Sequence, residues 1–458
     1  MNKTFLIAII VILLAAGGGY FLLNKSQGPA PEVATEDDTL TILWAQWKPA
    51  DYLQELTDDF TKETGIKVKI EQDSWGTFTD TFFNEAKKKE AGKYDMVVGD
   101  SQWLGRGATE GAYVELTQWI SDNNIADKFT DASMKGYSEY PKGKGHYWAI
   151  PVEGDAAGFS YRKDLFEDPA EKAAFKKKFG YELAVPETWN QLKDIAEFFY
   201  RPKNDFYGVL TWNEPKYDGL TMGIDSVIWA WGADLGNQET YKVNGVLNTK
   251  DGADALRFYK ALNEFNNPKW VNYYLDTNSS SNQPMMDGKV AMSMGYFSIN
   301  PELLDKQKNP KYYDKIGFFA MPKGPKGRHA SLGGQGASIV SYSKKKEQAF
   351  KFLEWFVRDE VQKKWAQLGG LSCSKVVLNS DEFLNASPLN KPFVESMNMV
   401  KDFWAVPHYS QMLAISQKYW YSYLVEGKIT PEEAMNRIAK EWEGLFSEKG
   451  YYLEVLTQ

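Results

Sequence analysis

Alternation gives way to a helical repeat and then returns, twice over, in the first hundred residues. Residues 39–44 (TLTILW) alternate and are rich in β-formers, which predicts a strand. Pro49 then opens a repeat that puts Tyr52, Leu53, Leu56 and Phe60 on one helical face, and Gly65 is placed to end it. Ile66, Val68 and Ile70 alternate with Lys67 and Lys69, predicting a second strand. A helix over about 78–90 and a short apolar strand over 94–98 follow. The order β-α-β-α-β implies right-handed crossovers and a parallel sheet covered by helices. Further along, strands are expected at 147–152, 159–161, 290–294 and 316–321. Helices are expected at 168–178 and 188–200, and from Ser343 to about Leu368. Thr430-Pro-Glu-Glu is a capping box with Pro at the first helical position.

The extreme N-terminus breaks this pattern. Lys3 precedes an apolar run from Phe5 to Leu23, a basic start and apolar stretch of the kind that directs export. The run is near the length of a membrane span, so it reads either as a cleaved signal or as an uncleaved anchor. No Cys follows it, which excludes lipoprotein processing. Residues 24–38 are rich in Pro, Gly and acids and read as a tether.

Length and composition narrow the function. A chain of 458 residues holds two or three core-bearing units. The net charge of −8 argues against a nucleic-acid partner, which would call for a basic stripe. One Cys, Cys373, leaves no intrachain disulfide, and the three histidines lie far apart, so no metal site is expected. No cofactor motif is present; residues 333–336 (GGQG) lack the Lys and Ser/Thr of a phosphate loop.

Aromatic residues make up 15% of the chain, and their placement matters more than their number. In a parallel α/β sheet, ligands bind beyond the carboxyl ends of the strands. All three leading strands end in tryptophan: Trp44 and Trp47, Trp75, and Trp103 after Asp100. Each alone is as well explained by packing; three at equivalent positions point to a ligand surface. A sugar offers apolar C–H faces and a ring of hydroxyls, so its site needs flat aromatic platforms beside short polar groups.

Several ordered blocks carry a resemblance. They are FTKETGIKV at 60–68, GKYDMVV at 92–98, HYWAIPV at 146–152, YRKDLF at 161–166, PETWNQL at 186–192, GKVAM at 288–292, GGQG at 333–336 and EVQKKW at 360–365. Together they resemble the family-1 extracellular solute-binding proteins, the group that includes maltose-binding protein. The resemblance implies a type II periplasmic-binding fold, with two doubly wound α/β lobes joined by a hinge of three chain crossings. It implies lobe 1 at 39–152 and 317–372 and lobe 2 at 153–316 and 373–458, behind the leader at 1–38. It also implies an extracytoplasmic, monomeric protein that delivers a sugar or polyol to the permease of an ABC importer and does no chemistry on it. The stretch from about Pro169 to Ala184 is longer than in maltose-binding protein, so the ligand cannot be copied from that relative.

By position, the expected ligand residues are Trp44, Gln46, Trp47, Trp75, Asp100 and Trp103 from the leading strands. Glu153 and Asp155 match the first crossing, where the alternative reading is that each satisfies hinge backbone. Trp229, Trp231 and Tyr296 match second-lobe positions, and Gly334 and Gln335 lie on an expected glycine loop. Tyr409, with His408 beside it, falls near the third crossing. Two other classes stay open: an exported carbohydrate-active enzyme, and a tethered receptor presenting ligand to a sensor. A glycosidase needs two carboxylates on opposite sides of the bond it breaks, and Glu153 and Asp155 sit on one segment.

Overall fold

The computed structural model describes residues 39–274 and 280–451. The apolar run at 5–23 and the tether lie outside the described residues. No helix among the described residues is long and apolar enough to cross a membrane.

Nine strands form one continuous, strongly mixed sheet. They are β1 (Leu40–Ala45), β2 (Val68–Asp73), β3 (Met96–Asp100), β4 (Ile150–Arg162), β5 (Tyr207–Leu210), β6 (Val290–Tyr296), β7 (Ile316–Ala320), β8 (Ala330–Ile339) and β9 (Val400–Lys401). The order is β2-β1-β3-β8-β4-β6-β5, with β7 also on β4 and β9 on β8. The three leading strands are parallel, as the βαβαβ pattern requires. The helix Lys48–Thr64 links β1 to β2, buries Leu53, Leu56 and Phe60, and ends at Gly65 with a φ of 76°. That left-handed turn is one glycine adopts without a Cβ penalty.

The two segments expected at 147–152 and 159–161 are a single strand. β4 runs for 13 residues, and its two halves pair with different partners. Residues Ile150 to Ala156 pair with β8, while Ala157 to Arg162 pair with β6 and β7. β4 therefore belongs to both halves of the molecule. β7 pairs with β4 on the edge opposite β6. The helix expected from Ser343 to Leu368 is two, Lys346–Phe356 and Asp359–Leu368. The Ser343 hydroxyl donates to Asp95 instead and accepts the Lys345 N–H. Thr430 does cap the helix Pro431–Glu448, accepting from the Glu433 N–H.

Candidate functional site

A cavity of about 160 Å³ lies between the two halves of the molecule. The leading strands supply one wall: Gln46 and Trp47 after β1, Trp75 after β2, and Asp100 and Gln102 at the end of β3. The opposite wall comes from Tyr217 and Asp218 ahead of the helix Gly219–Trp231, from Tyr274, and from Tyr296 to Ile299 after β6. Asp155 on β4 and Leu332 to Gln335 on β8 close the remaining side. A wider groove of about 450 Å³ shares Trp47, Ser298 and Ile299 with the cavity and extends it outward past Tyr52 and Pro301. A larger groove still, about 1080 Å³, runs over the outer surface beside Tyr342. Its lining is mainly Lys and Glu with that one aromatic, so it lacks the platforms of the cleft.

Aromatic rings build both walls. On one side Trp47 and Trp75 meet edge to face at 5.2 Å, and Trp75 reaches Tyr217 at 5.9 Å. On the other, buried Trp212 backs Tyr274 at 4.8 Å and Tyr296 at 4.9 Å. Polar groups sit between these clusters. The Tyr217 hydroxyl donates to Asp100. The Gln102 amide donates to Asp218 at 3.0 Å, and the Tyr274 hydroxyl does so at 2.9 Å. The first two bonds cross the cleft and tie its walls together. Asp155 accepts the backbone N–H of Ser298 at 3.1 Å and of Ala156 at 2.8 Å, with the Ser298 hydroxyl as a third donor.

Burial governs the charge of these acids. It pushes Asp100 up to about 8, helped by neighbouring Asp218 and opposed by the Tyr217 hydrogen bond. Asp155 is pushed to about 7 and Asp218 to about 6, each by desolvation against its hydrogen-bond donors. Two polar groups in the cavity wall have no partner: the Gln335 Oε1 acceptor and the Trp47 Nε1 donor, both buried. Left without a partner, such groups cost about 1–3 kcal/mol each.

Eight of the residues nominated from sequence border the cavity: Gln46, Trp47, Trp75, Asp100, Asp155, Tyr296, Gly334 and Gln335. The other six do not. Trp44 is fully buried and packs on Trp365 behind Trp47. Trp103 fills the core among Phe78, Phe82 and Phe83. Trp229 and Trp231 lie on the helix Gly219–Trp231 but face elsewhere: Trp229 donates to Asp234 at 2.9 Å, and the Trp231 ring lies 4.4 Å from Phe258. Tyr409 is buried beyond Asp100, and His408 bonds the Tyr451 hydroxyl. Glu153 points away from the cavity and accepts the Leu371 N–H at 2.9 Å, the hinge-backbone role. Burial raises its carboxyl well above the ordinary range. The glycine run is strand, not loop: Gly333 and Gly334 lie within β8, and Gly334 has a φ of 85°.

Gln102, Tyr217, Asp218, Tyr274, Ser298, Ile299, Leu332 and Gly333 were missed. Only Asp218 carried a local signal, an acid just ahead of a helix start.

An interlobe cavity between α/β halves joined by a shared strand defines a two-lobed binding protein. Comparison with known proteins makes this specific. Residues 45–363 match the family of bacterial extracellular solute-binding proteins, and the chain belongs to that family. A maltotriose-binding protein of Pyrococcus abyssi is 23% identical over 307 residues, 64% of this chain and 57% of the relative; the match thus spans little more than half of that relative. Among solved structures, a solute-binding protein of Agrobacterium radiobacter K84 in complex with ribitol superposes with a TM-score of 0.72 at 22% identity, covering 89% of this chain and 98% of that one. Maltose-bound MalE3 of T. maritima gives 0.73 at 21%, covering 89% and 99%. A solute-binding protein of Agrobacterium vitis S4 with bound D-mannitol gives 0.70 at 20%, covering 90% and 99%. The shared architecture is the type II periplasmic-binding fold.

Proposed function

We propose that this protein is the extracytoplasmic solute-binding subunit of an ABC importer and captures a sugar or polyol in the cleft. The observation that carries the reading is the cavity itself. Rings from both halves face it, and its unpartnered Gln335 acceptor and Trp47 donor match what a hydroxylated, flat-faced solute offers. The relatives named above bind maltotriose, ribitol, maltose and mannitol by their descriptions. The small cavity suits one ring or a linear polyol, and the groove beyond Trp47 offers space for further units.

The ligand is carried, not converted, and handed to a membrane permease by a monomer whose N-terminal segment serves either as a cleaved export signal or as an uncleaved anchor. In this reading 39–152 forms most of one lobe and 153–316 most of the other. Hinge closure shuts the solute from water.

The test uses the full-length chain in mild detergent, with tryptophan fluorescence and thermal melting against mono-, di- and oligosaccharides and polyols. A ligand at 100 times its Kd raises stability by about 2.7 kcal/mol. Saturable binding with no product formed is the expected result. Turnover of the bound sugar would make the protein an enzyme, and silence across the panel would remove carbohydrate as its ligand.

A further inference from the structure

Among the described residues, three carboxyl groups line the cavity, and no lysine, arginine or histidine does. The donors that reach them are uncharged: the Tyr217 hydroxyl on Asp100, the Gln102 amide and Tyr274 hydroxyl on Asp218, and Ser298 and Ala156 on Asp155. Tyr296 stands close enough to feel all three acids. Neutral donors orient a carboxylate without cancelling its charge, so a buried set of acids either keeps its protons or takes up a cation.

A second observation points to what is missing. Gln335 is 3% exposed, and its Oε1 acceptor has no partner. It pairs with Asp100 across the β3–β8 ladder, so the two side chains leave the sheet on the same face. That corner holds acceptors from two residues; the Tyr217 hydroxyl serves Asp100, and the Gln335 acceptor is left without a donor. An ammonium group has three N–H donors and a positive charge; a hydroxyl has one donor and no charge.

We propose that the cleft selects a solute bearing a protonated amine among its hydroxyls, an amino sugar or amino polyol, over the neutral solute with a hydroxyl in its place. The inference rests on the carbohydrate reading above. The amine sits between Asp100, Asp218 and Gln335, while the rings of Trp47, Trp75 and Tyr296 take the apolar faces. Anionic solutes are rejected, because nothing in the wall pairs with them.

Calorimetry on the full-length chain at neutral pH, with matched probes, tests this. The pairs are glucosamine and glucose, 1-amino-1-deoxysorbitol and sorbitol, and the β-1,4 dimer of glucosamine and cellobiose, with N-acetylglucosamine as an uncharged control. In at least one pair the amine binds about tenfold tighter or more, the scale of one partly screened charge contact. Asp218→Asn and Asp100→Asn shrink that amine-to-alcohol ratio. If the neutral members bind as well or better, the amine proposal falls and the carbohydrate reading stands. If no member of any pair binds, both fall. Should the Asn variants fail to fold by near-ultraviolet circular dichroism, the wild-type ratio against the N-acetyl control still decides.

Discussion

Trp44 and Trp47 are three residues apart and their rings meet edge to face at 5.7 Å, yet only Trp47 borders the cavity. Trp44 lies within a strand whose side chains are almost all buried, so its ring goes into the core. Trp47 sits one residue ahead of the helix Lys48–Thr64, half-buried, with a face left for a ligand. Replacing Trp47 or Trp75 with Ala removes a platform and weakens ligand binding by about 1–2 kcal/mol. Trp231→Ala, by contrast, removes a ring packed on Phe258 and leaves Kd unchanged. Titration of the three variants with the ligand found in the panel checks both outcomes. Equal losses at all three positions would mean that the effect is one of folding, not of contact. Sequence placed tryptophans at the strand ends correctly but could not tell a rim position from a core one. For Trp44 and Trp47 that choice depends on whether the residue still lies within β1 or just past its end, a matter of one or two positions. Tyr217, Asp218 and Tyr274 left little trace, because they reach the cavity from connections that have no period.

At the scale of elements, the hydrophobic repeats located the leading βαβαβ unit and its helix end at Gly65 well. They failed where two strands merge. The gap between the segments expected at 147–152 and 159–161 holds Glu153 and Asp155, two acids within what is one buried strand. Both carboxyls are in fact buried and hydrogen-bonded, one to Leu371 and one to Ser298. The strand continues through them because long-range partners, not local composition, donate to their oxygens. The same junction constrains β8. A Cβ on Gly334 would stand 2.2 Å from the Glu153 carbonyl oxygen, and its φ of 85° is strained for any other residue. Gly334→Ala is expected to cost about 2 kcal/mol or more, through that overlap and the backbone strain together. Urea unfolding measures it; a loss below about 0.5 kcal/mol would mean that β4 and β8 separate there at little cost.

For the molecule as a whole, the cleft acids make stability depend on pH. Asp100 holds its proton in the folded protein up to about 8, whereas an unfolded Asp releases it near the ordinary value of about 3.9. Between those values the folded state binds more protons, so stability falls as pH rises. Asp155, raised to about 7, adds the same sign. Burial holds His329 and His408 below their ordinary range, which works in the opposite direction below about pH 6.5. The clean window therefore runs from about pH 6.5 to 8. There the Tm of the ligand-free protein declines with pH, and Asp100→Asn flattens the decline. A wild-type profile that rises through this window would show that Asp100 is ionised in the folded state.

β4 has a further consequence. A linker between two bodies lets them swing freely; a hydrogen-bonded strand common to both resists, and opens only by twisting. The aperture is then set by torsion in β4 and in the β8 residues beside it, the same strands that carry Asp155 and Gln335 to the cavity wall. A ligand that binds only the closed form has its apparent affinity scaled by the fraction of molecules already closed. Stiffening or relaxing that strand at residues other than Asp155 would therefore retune capture and release for every solute alike, without changing which solute is preferred.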